Sequence, residues 1–213
     1  LWQSGFTLAA YQLGKCWRDG RGVLPDDEQA ELWFRRAADA GYDFAQYALG
    51  KLLQSQNRTG EAVSWYEKAA AQGNSWAAYR LGKLYLEGKD VPKDVPKAVA
   101  YLTDSAEHGN QYAQYQLGRL LLRGEDAPRE IEEAVRWLTA SAEQGNQYAQ
   151  YALGKLYLMG KEVPRDPEAA VRWFTLSAAQ GNEYAQYFLD HMDEGLSIFS
   201  CATRLLHHLS GIF

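Results

Sequence analysis

Few side chains in this chain are of the kinds that usually carry out covalent or metal chemistry. Its histidines are His108, His191, His207 and His208. His207 and His208 are adjacent, so on a helix they point about 100° apart and cannot chelate together as an i, i+4 pair would. Cys16 and Cys201 lie far apart, with no CxxC and no histidine at ligand spacing. They read as two reduced packing cysteines. The carboxylate pairs Asp26-Asp27 and Glu132-Glu133 fall at predicted helix starts, where negative charge favours the positive end of the helix dipole. No Ser/His/Asp grouping, P-loop or GxGxxG motif is present. The sequence therefore predicts no enzyme, no cofactor and no metal.

What the chain has in excess is aromatic: 14 Tyr and 7 Trp, mostly at recurring positions. NSWAAYRLGKLYLEGKDVP, NQYAQYQLGRLLLRGEDAP and NQYAQYALGKLYLMGKEVP are one motif repeated. Its Leu-Gly pair places glycine at Gly14, Gly50, Gly82, Gly118 and Gly154, in steps of 36, 32, 36 and 36 residues. A second marker agrees at Gly41, Gly73, Gly109, Gly145 and Gly181. A period of this size means stacked units, because one unit cannot bury its apolar face alone.

Each unit reads as two short helices. In the copy from Gln147 to Asn182, Ala149, Leu153, Gly154, Leu156 and Tyr157 recur near a 3.6 period, and Gly160 supplies a stop. Pro164 cannot continue a helix interior, Asp166 suits the cap of the next helix, and Pro167 suits its first turn. Ala170, Trp173, Phe174, Ser177 and Ala178 form the second stripe, closed by Gly181-Asn182. Trp33, Trp65, Tyr101, Trp137 and Trp173 share one position in successive second helices and read as packing rather than as a cofactor box. The second unit is four residues shorter, with Gln54 to Gly60 in place of the Val-Pro-x-Asp loop. The hairpin should still close through a tighter turn.

Net charge is −5. That balance argues against nucleic-acid binding through this region, which needs a basic stripe. No apolar run approaches the roughly 18 residues of a membrane span, and no signal peptide is visible. The chain begins on Leu1 rather than Met, so the natural N-terminus is expected upstream. Localisation is open: cytoplasm is favoured, and periplasm or secretion remain alternatives.

The pattern Ala-x-x-x-Leu-Gly-x-x-Tyr, Gly-x-x-Val-Pro-x-Asp, Ala-x-x-Trp-x-x-x-Ala-x-x-Gly resembles the Sel-one-like repeats (SLR) of the tetratricopeptide superfamily. Copies three to five match it almost fully. The first carries Leu13-Gly14, Asp26, Ala30, Trp33, Ala38 and Gly41, and the second keeps the helices without the loop. The resemblance covers roughly residues 7–190. It implies an all-α fold, an α/α solenoid of helical hairpins wound right-handedly with a concave face, acting as a bacterial or eukaryotic adaptor rather than an enzyme. The expected division is a remnant of a preceding segment at 1–6, then repeats at 7–42, 43–74 (short loop), 75–110, 111–146 and 147–182. A degenerate repeat and C-terminal capping helix follow at 183–213. The tail ATRLLHHLSGIF also resembles that of bacterial mobilisation relaxases bearing such repeats.

The resemblance further implies a ligand groove lined by the first helices, at the second, fifth and ninth positions when Leu-Gly takes the seventh and eighth. Here those positions give Phe44, Tyr47 and Lys51; Trp76, Tyr79 and Lys83; Tyr112, Tyr115 and Arg119; Tyr148, Tyr151 and Lys155; then Tyr184 and Tyr187. The result is a double row of rings beside a row of cations. Two readings of the fifth-position tyrosines stay open: packing between neighbouring first helices, or contact with a ligand. The expected partner is a protein or peptide, with carboxylates to match the cations. The alternative is a carbohydrate module for cell-wall glycan, since rings also stack on sugars. After Gly195, an apolar stripe from Leu196 to Phe213 is expected to cap the stack, and its end offers a route to oligomers.

Overall fold

The computed structural model describes residues 2–191, with side chains from residue 5 onward. All regular structure among them is α-helical. Helices α1 (Trp2–Asp19) and α2 (Asp27–Asp39) form the first hairpin, α3 (Asp43–Ser55) and α4 (Thr59–Ala70) the second, and α5 (Ser75–Glu87) and α6 (Val95–Glu107) the third. Then come α7 (Gln111–Arg123), α8 (Ile131–Glu143), α9 (Gln147–Met159), α10 (Pro167–Ala178) and α11 (Glu183–His191). Helix α1 runs back through residues 2–6, which the repeat register leaves before the first copy. The chain divides into two compact units, residues 1–137 and 138–213. The expected capping helix, Cys201, His207, His208 and the relaxase-like tail lie outside the described residues.

Local sequence sets the helix limits. Asn74, Asn110 and Asn146 cap the first helices, their side-chain oxygens accepting from backbone N–H groups two or three residues on. The Gly-Asn marker thus does two jobs: the glycine turns the chain at positive φ and the asparagine starts the next helix. Gly88, Gly124 and Gly160 end those helices in the left-handed region. Asp26, Asp94 and Asp166 cap second helices in the same way. In the short second turn, Asn57 takes φ +62. Arg58 braces it, donating to Glu61 and, across to the first hairpin, to Glu31.

The hairpins close around the Leu-Gly glycine. A Cβ built on Gly14, Gly50, Gly82 or Gly154 would sit 2.5–2.7 Å from an atom of Phe34, Tyr66, Leu102 or Phe174. Those four side chains are fully buried. They stand one residue after the tryptophan column that the sequence marks. The column itself is mixed: Trp65 and Trp137 are buried, whereas Trp33, Tyr101 and Trp173 are half-buried. Cations lie over several of its rings, Arg36 over Trp33, Lys68 over Trp65 and Arg136 over Trp137.

Buried polar side chains tie neighbouring elements. Gln46, Gln114 and Gln150 donate to the carbonyls of Ala38, Ala106 and Ala142 near the ends of the preceding second helices. Gln72 and Gln180 donate in turn to Gln46 and Gln150. Ser105 and Ser177 reach the carbonyls of Ser75 and Gln147, joining second helix to first within a hairpin.

Candidate functional site

One face of the first helices carries the rings and cations singled out by position. In the first unit the second-position side chains are exposed: Leu8, Phe44, Trp76 and Tyr112, at 48%, 49%, 44% and 40%. In the second unit Tyr148 and Tyr184 are likewise 54% and 45% exposed. An exposed aromatic at the same point of consecutive helices costs solubility and adds nothing to the core.

The fifth-position tyrosines are all half-buried: Tyr11, Tyr47, Tyr79, Tyr115, Tyr151 and Tyr187. Several of their ring contacts reach other helices. Tyr47 lies 5.9 Å from Tyr66, the ring that fills the Gly50 gap. Tyr151 touches Phe174 at 5.9 Å and Tyr184 at 6.2 Å. Tyr79 lies 6.1 Å from Tyr112, which also meets Trp76 at 5.6 Å. A side-chain hydrogen bond joins Tyr79 to Gln116, and burial holds its phenol above the ordinary tyrosine range. Tyr151 thus links the buried ring of its own hairpin, Phe174, to the exposed ring of the next, Tyr184. The fifth-position row supports the outer row rather than presenting a second one of equal exposure.

The ninth-position cations cover the same tyrosines one helical turn on. Lys15, Lys51, Arg119 and Lys155 lie 5.4–5.9 Å from the ring centres of Tyr11, Tyr47, Tyr115 and Tyr151. His191 stacks on Tyr187 at 4.1 Å. Lys83 is different, reaching Glu87 at 3.5 Å. The cations also differ in environment. Burial, and then the nearby Arg80 charge, lower the Lys51 ammonium. Burial pushes the Lys155 ammonium down to about 8. Periodicity could not predict this spread, because part of it depends on what stands at non-repeating positions, Arg80 near Lys51 and Glu87 beside Lys83.

Among the described residues no three His, Cys, Asp or Glu side chains gather as a metal site. No described helix is long and apolar enough to cross a membrane. Consecutive helical hairpins of one repeating register define a class of all-α repeat proteins.

The particular family follows from its repeat model. The Sel1 repeat matches residues 7–42, 43–74, 77–110, 111–146 and 147–182, and the chain belongs to that family. Among solved structures, a Sel1 repeat protein from Oxalobacter formigenes is 31% identical, covers 84% of this chain and 75% of its own, and has a TM-score of 0.77. The protein c5321, a protective antigen of uropathogenic Escherichia coli displaying an SLR fold, is 33% identical over 91% of this chain, with a TM-score of 0.84. This chain spans only 43% of that protein's length. A sel1 repeat protein from Klebsiella pneumoniae is 27% identical over 74% of this chain and 78% of its own, with a TM-score of 0.54. No curated protein matches the chain. Sel1 repeat proteins are generally non-catalytic scaffolds that mediate protein interactions.

Proposed function

We propose that this chain is a non-enzymatic scaffold that binds an extended, acidic peptide segment along the first-helix face, the side that the repeat resemblance assigns to the concave groove. The observation that carries this reading is the outer ring row. Phe44, Trp76 and Tyr112 are large, exposed and backed by a packed second row. Rigid rings give contact area at low entropy cost, which is why they anchor interfaces. Lys51, Lys83 and Arg119 follow along the same helices and favour carboxylates in the ligand. Tyr148, Tyr151, Lys155, Tyr184 and Tyr187 form the corresponding tract of the second unit.

The rival reading, a glycan-binding surface, has less support. Trp76 and Tyr112 are inclined to each other by 46°, so they do not make the coplanar platform that a sugar ring would stack on. The test is selection from a random peptide library, followed by titration of the selected peptide against the wild type and against Trp76→Ala and Tyr112→Ala. Both variants should weaken binding by tenfold or more, about 1.4 kcal/mol each, with little change in thermal midpoint. Affinity should fall as salt rises, because exposed charges are screened. Selection of no peptide, or salt-independent capture of cell-wall glycan, would reverse the assignment.

A further inference from the structure

The N-terminal unit contains a cleft of about 100 Å³ between the end of α5 and α7. Leu86 and Leu120 give it an apolar floor, and Arg119, Arg123 and Gln116 line it. Arg119 belongs to the ninth-position row, one turn after Tyr115, so the cleft opens beside the face described above. It is also the point at which that row changes chemistry. Lys51, Lys83 and Lys155 offer a single ammonium each, whereas Arg119 offers a planar fork that matches a carboxylate in two bonds.

The fork is fixed and under-used. The guanidinium lies over the Tyr115 ring, 5.4 Å from its centre. Its Nε is buried and has no hydrogen-bond acceptor among the described residues. Arg123 follows at i+4 on the same helical face, and neither arginine forms an ion pair among the described residues. Two acids, Glu125 and Asp126, share the cleft. Asp126 is held by Lys93 at 2.8 Å, and Glu125 lines the cleft without an ion pair to either guanidinium. The two guanidinium groups thus line the cleft without a direct ion pair, beside apolar side chains that suit an aliphatic stem.

We propose that this cleft seats a carboxylate of the bound peptide, its oxygens accepting from the guanidinium groups of Arg119 and Arg123 and its methylenes resting on Leu86 and Leu120. The proposal rests on the peptide-face reading and gives it a register: an acidic group held between the third and fourth repeats. The carboxylate could come from a glutamate side chain or from a chain terminus, and the test separates them.

The Nε–Hε signals of the whole chain's arginines can be followed by NMR while small probes are added. N-acetyl-glutamate amide presents only a side-chain carboxylate, N-acetyl-glycine only a terminal one, and N-acetyl-glutamine amide neither. A saturable shift of the Arg119 signal with one of the first two, and none with the glutamine probe, is expected and names the source. Arg119→Lys, which keeps the charge and loses the fork, should weaken that probe by about tenfold. Arg123→Gln should weaken it as well. If no carboxylate probe shifts Arg119, if the glutamine probe shifts it equally, or if Arg119→Lys binds as well as the wild type, the assignment is overturned. Should the lysine variant melt early, the wild-type titration decides alone. Each probe is a single residue, so it reports on the cleft and not on the ring row. Carboxylate binding without peptide selection would sink the peptide-face reading and leave the cleft standing. Peptide binding that ignores Arg119 would do the reverse.

Discussion

Substituting Gly50 by alanine tests the packing logic shared by the hairpins of Gly14, Gly50, Gly82 and Gly154. In an ordinary helix interior, Gly→Ala stabilises by about 1 kcal/mol. Here the new Cβ would lie 2.6 Å from Cε1 and 2.7 Å from Cδ1 of Tyr66, against a comfortable carbon separation of about 3.5–4.0 Å. The ring must therefore retreat by about 1 Å. It has nowhere to go. Tyr66 is fully buried, meets Tyr47 at 5.9 Å and holds its hydroxyl to Gln54 at 3.1 Å. Overpacking of this kind costs about 1–3 kcal/mol, and so tight a site belongs at the upper end. The net result should be a loss of about 2 kcal/mol after the propensity gain. The decisive measurement is a double-mutant cycle by urea denaturation. Tyr66→Ala alone should cost about 3–5 kcal/mol. In that background the clash is gone, and Gly50→Ala should become stabilising by up to about 1 kcal/mol. A Gly50→Ala effect of the same sign in both backgrounds would refute the argument that the glycine exists to admit the ring.

Two further outcomes follow from the same structure. Trp137→Ala should lower stability by about 3 kcal/mol, because the ring is buried and its Nε1 donates to Glu133 at 2.9 Å; an unchanged urea midpoint would show that the ring contributes no packing. Lys155 should make stability depend on pH in an unusual direction. Its folded-state value of about 8 lies below the ordinary lysine value of about 10.4, so between these the unfolded chain binds more protons and stability rises with pH. Below about pH 8 the cost of the buried ammonium stands in full, offset in part by the Tyr151 ring at 5.6 Å. Lys155→Met should therefore be the more stable protein at pH 7, and its advantage should shrink as pH rises to 10; a gap that stays flat would remove burial as the cause.

The sequence shows the hairpin arrangement plainly because its signals are punctuation. Glycine at positive φ, proline in a first turn and aspartate at a cap act locally, so they survive without tertiary knowledge. Two features escaped it. Phe34, Tyr66 and Leu102 fill the core next to a rarer and larger aromatic neighbour, and of this set the apolar stripe marks Phe174 alone. Position alone could not tell which of two adjacent apolar side chains meets the glycine, since that depends on how closely the helices approach. The buried glutamines were missed because a polar residue at a helix start reads as solvated. Only the returning carbonyl of the preceding helix, as for Gln114 and Ala106, reveals that it is enclosed. On the candidate face, the exposed second-position rings follow from register, whereas the inequality of the cations depends in part on side chains at non-repeating positions.

The polar ties between repeats fall into two kinds, shared and private. Gln46 and Gln114 satisfy main-chain carbonyls that any preceding second helix would offer. A hairpin carrying such a glutamine can follow almost any sibling. Arg58 to Glu31 and Lys93 to Asp126 instead need one named side chain on one named neighbour. Loss of residues 75–110 in a single genetic step would leave Gln114 facing an equivalent carbonyl at the end of α4, but would forfeit the Lys93 tie to Asp126 and the hold of Lys97 and Tyr85 on Glu67. Loss of residues 43–74 would strip Glu31 of Arg58 and leave its charge to Arg35. The chain is thus a string of interchangeable links with a few keyed joints, and the keyed joints mark where its length is hardest to change.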